Sequence, residues 1–201
     1  ISDFSKDILN IDFQPTIKTK LGIGLIWLKV PPDGEDMYAK KLTYDQVANR
    51  ILNYHRPYHK KLKLILKNTY DKYKCFFHIN CHSMQNNASA MSTQEKGTLR
   101  PDFVIGDRDG TSCNKKFTNL VVTILKDLNY DVVINDPYKG MELVSAYSNP
   151  ANNKHSLQIE VNRKLYMDEK TRIKTDGFNA LKEHLSLMTR EIKLFVEEEL
   201  R

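Results

Sequence analysis

Cys75-Phe76-Phe77-His78-Ile79-Asn80 runs directly into Cys81-His82-Ser83-Met84, and Leu157-Gln158-Ile159-Glu160-Val161-Asn162-Arg163 follows far downstream. Both stretches are short, rich in aromatic and β-branched residues, and free of proline and glycine, which predicts two strands. The first is almost continuously apolar up to His78, as strands buried on both faces tend to be. His82 stands where one strand leaves the core, and Glu160 is embedded in the other. Zinc takes nitrogen ligands and keeps a position for water, and a nearby carboxylate removes that water's proton. The pair is what a mononuclear zinc hydrolase needs, with His82 as a metal ligand and Glu160 as general base, but two residues alone are a weak signal, and an isolated histidine more often caps a strand. A carboxylate facing a core without a partner is costly. In a cleft beside a metal the same apolar surroundings serve a general base.

Outward from these two strands, helix and strand signals alternate. Residues 102–106 and 132–134 read as strands. Residues 117–128 read as a helix with Leu120, Val121, Ile124 and Leu128 turned inward. From Phe178, apolar positions 181, 185, 188, 192 and 195 mark a long terminal helix. Upstream, the apolar run 22–30 ends at Pro31-Pro32-Asp33-Gly34 and reads as a buried strand closed by a turn. Thr43 and Gln46 form a capping-box pattern. Behind them Val47, Ile51, Tyr54, Tyr58, Leu62 and Ile65 make one apolar helical face, and Pro57 should kink or divide that helix near Arg56. Residues 85–99 are polar, lack a period and read as a loop. The fold class is α/β: a layered α/β/α domain around a central, mostly parallel or mixed sheet. Ligands of such sheets gather outside the carboxyl ends of the strands. His82, Asp107 with Arg108, and Asn135 to Tyr138 each follow a strand, so they are expected to share one cleft.

A chain of 201 residues is read as a single domain, residues 1–201, with a substantial core. No stretch approaches the roughly 18 uninterrupted apolar residues of a membrane span, and the opening residues lack the form of a secretory signal. Three cysteines, an odd number, form no disulfide framework and suit a reducing, cytoplasmic setting. The net charge is +6, but the lysines are spread along helical surfaces rather than gathered in a basic stripe interleaved with aromatics. That pattern argues against a nucleic-acid partner and suits a small anionic substrate.

Four blocks carry a family resemblance. They are Cys81-His82-Ser83-Met84; Gly106-Asp107-Arg108-Asp109-Gly110-Thr111-Ser112-Cys113; Asn135-Asp136-Pro137-Tyr138-Lys139-Gly140; and the run from Leu157 through Tyr166-Met167-Asp168. Together, and in this order, they resemble the N-formylglutamate amidohydrolase family, related in fold to the zinc carboxypeptidases. The resemblance runs from about Thr43 to Asp168, and the first forty residues add little to it. It implies a zinc-dependent amidohydrolase that converts N-formyl-L-glutamate to formate and L-glutamate, as in histidine degradation.

The resemblance also implies roles. His82 matches the last of three zinc ligands in the related carboxypeptidases, and Glu160 their catalytic glutamate; an ion pair of Glu160 with Arg163 is the structural alternative. Arg108 is the leading candidate to grip a substrate carboxylate, since a guanidinium can do so with two hydrogen bonds. Asp107 is expected to orient Arg108 or bind the substrate's α-substituent, although Asp107 to Gly110 is also good turn chemistry. Asn135, Tyr138 and Arg163 complete the expected substrate-binding set, with Asn162 beside Arg163 as a supporting or carboxylate-binding group. Met141 replaces the second glycine of the family's Pro-Tyr-Lys-Gly-Gly, which puts the shape of that loop in question. The upstream ligands have no counterpart: no His-x-x-Glu occurs, and residues 1–40 contain no histidine. The expectation is that a segment carrying two ligands is absent from this sequence, and the alternative is a protein that has lost its metal. His55 and His59 lie four apart, as in shared metal sites, but Pro57 disturbs that geometry, so a packing role for His59 is expected. Cys81 and Cys113 read as packing residues. The rival functions are a relative acting on another N-acyl amino acid or small peptide, and a metal-free binding module of the same fold.

Overall fold

The computed structural model describes residues 16–201. They gather into two compact units. One runs to Ile65 and takes in Ser89–Lys96; the other holds Leu66–Ala88 and Gly97–Arg201. No helix among the described residues is long and apolar enough to cross a membrane.

In the first unit, a short helix α1 (Ile17–Lys20) precedes two short antiparallel strands, β1 (Lys29–Val30) and β2 (Glu35–Asp36). The buried strand expected over 22–30 does not form. Gly22 adopts φ +76°, its carbonyl accepts from the amide of Leu28, and the chain folds back on itself with Leu25 and Trp27 nearly half exposed. The Pro31-Pro32 pair, joined by a cis bond, supplies no N–H groups to extend a ladder. The turn expected at Pro31 to Gly34 is present, with the Gly34 amide on the Val30 carbonyl at 2.9 Å.

Helix α2 (Tyr44–Arg50) begins at the expected capping box. The Gln46 amide donates to Thr43 Oγ1 at 3.3 Å, and the Thr43 amide to Gln46 Oε1 at 2.9 Å. The break expected at Pro57 takes the form of a π-helical stretch, Ile51–His55, before α3 (Arg56–Tyr73). Proline leaves the carbonyl four residues back without a donor, and the widened turn lets the Arg56 amide reach the Ile51 carbonyl instead. The apolar face is buried only as far as Ile51; Tyr54, Tyr58 and Ile65 are exposed.

The second unit is built on β3 (Phe76–Met84), β4 (Phe103–Gly106), α4 (Lys115–Asp127), β5 (Val132–Ile134), a short α5 (Glu142–Ala146), β6 (Lys154–Asn162) and α6 (Gly177–Glu199). The sheet order is β3-β6-β4-β5. β3 is parallel to β6 and β4 to β5, while β4 and β6 run antiparallel. This is the α/β fold with a central mixed sheet expected from the sequence. One consequence differs from expectation. Because β3 and β4 run in opposite directions, their carboxyl ends lie at opposite edges of the sheet, so the strand-end rule does not by itself gather His82 with Asp107 and Asn135.

Along β3 and β6 the two faces alternate in chemistry. Ile159 and Leu157 join Phe103, Ile105 and Val132 in a core closed by Phe117, Val121 and Leu125 of α4 and by Leu181, Met188 and Ile192 of α6, with Phe77 and Ile79 packed against it. The other face of the same strands carries His78, Asn80, His82, Ser156, Gln158, Glu160 and Asn162. β3 is therefore apolar on one face only, against the expectation of a strand buried between two apolar layers. In α4 the inward centre is set by Phe117, Val121 and Leu125, with Leu120 and Ile124 at its flank.

Candidate active site

The polar face is a ladder of cross-strand pairs set by the parallel register of β3 and β6, which places His78 opposite Ser156, Asn80 opposite Gln158 and His82 opposite Glu160. His78 Nδ1 lies 2.8 Å from Ser156 Oγ, and burial holds the His78 pKa below its ordinary value. Asn80 Nδ2 donates to Gln158 Oε1 at 3.4 Å, and Gln158 Nε2 donates to Glu160 Oε1 at 2.9 Å. His82 Nδ1 stands 3.9 Å from that same Glu160 oxygen. Glu160 is 5% exposed, whereas the His82 side chain is 47% exposed. The imidazole and carboxylate that the sequence singled out thus face each other, one half-exposed to solvent and one buried.

A loop folds over this face. Gly106 of β4 would place a side-chain carbon 2.7 Å from the Gly140 nitrogen, so only glycine lets the 138–140 backbone lie this close. The loop descends from a cis Asp136-Pro137 bond, turns at Gly140 (φ +89°) and enters α5 through Met141, whose carbonyl accepts from Val144 and Ser145. Met141 has φ −111°, so the missing second glycine creates no strain. Tyr138 lies under the Arg100 guanidinium, 5.3 Å from its ring centre. Burial pushes the Tyr138 hydroxyl pKa up; Arg100 and Arg163 act against this and Glu160 with it. Tyr138 therefore shares a local field with Glu160 and two arginines.

The sequence model of the N-formylglutamate amidohydrolase family matches residues 9–167. The chain belongs to that family. The crystal structure of N-formylglutamate amidohydrolase from Ralstonia eutropha JMP134 is 40% identical and superposes with a TM-score of 0.87, covering 94% of this chain and 67% of that one. An N-formylglutamate deformylase of Pseudomonas putida is 27% identical over 115 residues, 57% of this chain and 42% of the relative. The chain thus aligns with less than half the length of that curated relative. The family match also starts well before Thr43, so the upstream residues belong to it even though the legible motifs lie downstream.

Within this amidohydrolase fold, the other expected site residues have defined places. Asp107 and Asn135 bind each other: Asn135 Nδ2 donates to Asp107 Oδ1 at 2.7 Å and the Asp107 amide to Asn135 Oδ1 at 3.0 Å. Asp107 also accepts from the Gly110 amide and from Thr118 Oγ1. Arg108, Asp109 and Gly110 all have positive φ, a tight left-handed turn. Arg108 donates from Nη1 to the Gly140 carbonyl at 3.0 Å and from its amide to Lys139. Arg108 and Asp109, which pairs with Lys139 at 2.8 Å, join the turn to the 138–140 loop. Arg163 donates from Nε to Ser83 Oγ at 3.2 Å and pairs with Glu169 at 3.8 Å. Asn162 Nδ2 donates to Asn86 Oδ1 and to the carbonyls of Arg100 and Pro101, anchoring the loop that delivers Arg100. Arg100 and Gln158 are the site members that sequence reading passed over. Gln158 had a usable signal, since two residues before Glu160 on a strand is the same face. Arg100, 5% exposed, had none, because its burial depends on the loop folding over it.

Metal-capable side chains do not cluster in groups of three among the described residues. In the first unit, the His55 and His59 ring centres lie 4.3 Å apart with their planes tilted by 40°. Burial pushes the Cys113 thiol up to about 12, which leaves it a packing residue rather than a nucleophile.

Proposed function

We propose that this chain hydrolyses N-formyl-L-glutamate to formate and L-glutamate, as a zinc-dependent amidohydrolase of the histidine-degradation type working in the cytoplasm. The observation that carries the reading is the buried Glu160 carboxylate held 3.9 Å from the open His82 imidazole in a family member. His82 suits one position of a zinc site, and the remaining ligands would come from outside the described residues. When bound, zinc would polarise the formyl carbonyl and acidify a water. Glu160 takes the water's proton as the water oxygen bonds to the formyl carbon. It then returns a proton to the amide nitrogen as the C–N bond breaks, releasing glutamate and formate. Tyr138 and Arg163 would meet the substrate's carboxylates. Arg108, Asp107 and Asn135 shape the loop that brings Tyr138 over the sheet. Three free cysteines fit a reducing compartment.

The competing reading is a metal-free binding module, favoured by the lack of a three-residue cluster among the described residues. Metal analysis of the purified full chain, together with formate release from N-formyl-L-glutamate, separates the two. The expected outcome is zinc binding and hydrolysis, with both lost in His82→Ala. A wild-type chain that binds no zinc and releases no formate would overturn the proposal.

A further inference from the structure

Gln158 is 3% exposed and sits on β6 two residues before Glu160, on the same face. Its Nε2 donates at 2.9 Å to Glu160 Oε1, the oxygen that faces His82. An ionised carboxylate accepts hydrogen bonds and donates none, so the amide must present its NH2 end to Glu160. Asn80 holds it that way round by donating to the opposite end of the amide, Gln158 Oε1, at 3.4 Å. The carboxylate's last torsion is soft and roughly two-fold, and the row Asn80, Gln158, Glu160 removes that freedom. We infer that Gln158 is a positioning residue for the general base, with Asn80 setting its amide, so that Glu160 meets the attacking water already oriented. This rests on the function proposed above. Pre-orientation of this kind saves the reorganisation that a freely turning carboxylate would need at the moment of proton transfer.

The test pairs crystal structures with kinetics on the zinc-loaded full chain. Gln158→Met keeps the volume and removes the donor. Its Glu160 carboxylate is expected to turn away from His82, and kcat for N-formyl-L-glutamate to fall about 10- to 100-fold, the scale of one hydrogen bond to a charged group. KM should stay within about twofold, because the substrate's own contacts are untouched. In a Glu160→Gln background the same substitution should cost less than about twofold, since there is no base left to position. Should Gln158→Met fail to fold, Asn80→Ala on the edge strand β3 carries the test, with a loss of a few-fold in kcat expected. A Glu160 that keeps its position in the variant, an unchanged kcat, or an equal loss in both backgrounds would overturn the inference. If the wild-type chain releases no formate, the function proposed above fails, while Glu160's position in the two crystal structures still decides the positioning role.

Discussion

On β6, neighbouring residues serve two different surfaces. Leu157 and Ile159 enter the core shared with α4 and α6. Ser156, Gln158, Glu160 and Asn162 face the other way, and each makes a polar contact on that side. Both faces of the strand are buried, so burial alone cannot tell them apart. What separates them is how each residue is satisfied. The apolar face is held by area removed from water and by close packing, which tolerate little loss of volume but have no directional demand. The polar face is held by hydrogen bonds whose partners must be in register, because an unsatisfied buried polar group is costly. One face therefore sustains the fold, and the other holds polar side chains in fixed orientation.

The sharpest way to break this comparison is to substitute two adjacent residues. Glu160→Gln keeps the shape of the side chain but cannot take a proton. Formate release should fall about 10²- to 10⁴-fold, with melting temperature and zinc content close to wild type. A rate within a few-fold of wild type would make Glu160 structural. Ile159→Ala, one residue away on the opposite face, should show the reverse. A buried isoleucine truncation costs about 2–5 kcal/mol, so thermal unfolding should fall by several degrees while kcat per folded molecule changes little.

A third substitution tests how the loop reaches the polar face. Gly106→Ala puts a methyl group against the 138–140 backbone at 2.7 Å. The loop must shift, at a stability cost of about 1–3 kcal/mol. Because Tyr138 shifts with it, KM should rise more than kcat falls. A variant crystal structure with the loop in place would rule this out.

The smallest expected effect is on pH dependence, and it sharpens the contrast from the polar side. His78 is held below the ordinary histidine value of about 6.5 by burial. Above that value it is neutral in both folded and unfolded chains and contributes no slope. As pH falls through about 6.5, the unfolded chain takes the proton first, so stability is lost until pH passes the depressed folded value. His155 is shifted the same way by burial. His78→Gln should therefore flatten, without abolishing, the loss of stability between about pH 7 and pH 5, measured by denaturant unfolding. An unchanged slope would show that His78 titrates alike in both states.

Much of this fold is legible in local sequence. Thr43 and Gln46 start a helix because their side chains satisfy orphan amides within one turn, an interaction needing nothing distant. Pro57 breaks its helix for an equally local reason. The run 22–30 misled because its apolar residues suggested a strand, whereas Gly22 and the Pro31-Pro32 pair impose turns that no ladder can absorb. The strand-end rule fell short because strand direction is a property of the whole sheet: with β4 reversed against β6, the carboxyl ends of β3 and β4 point opposite ways.

By itself, the sequence determined which residues could do chemistry. An imidazole ending one strand, a carboxylate inside another and period-two alternation are all written in local order, and they single out His82 and Glu160 as candidates. Which groups meet depends on contacts between distant parts of the chain. The parallel register of β3 and β6 puts His82 opposite Glu160 and lines Asn80 up with Gln158. The missing side chain at Gly106 admits the loop that carries Tyr138, and Asn162 ties down the loop that buries Arg100. Those contacts join residues dozens of positions apart. Their energies depend on register and burial, which no local stretch of chain encodes.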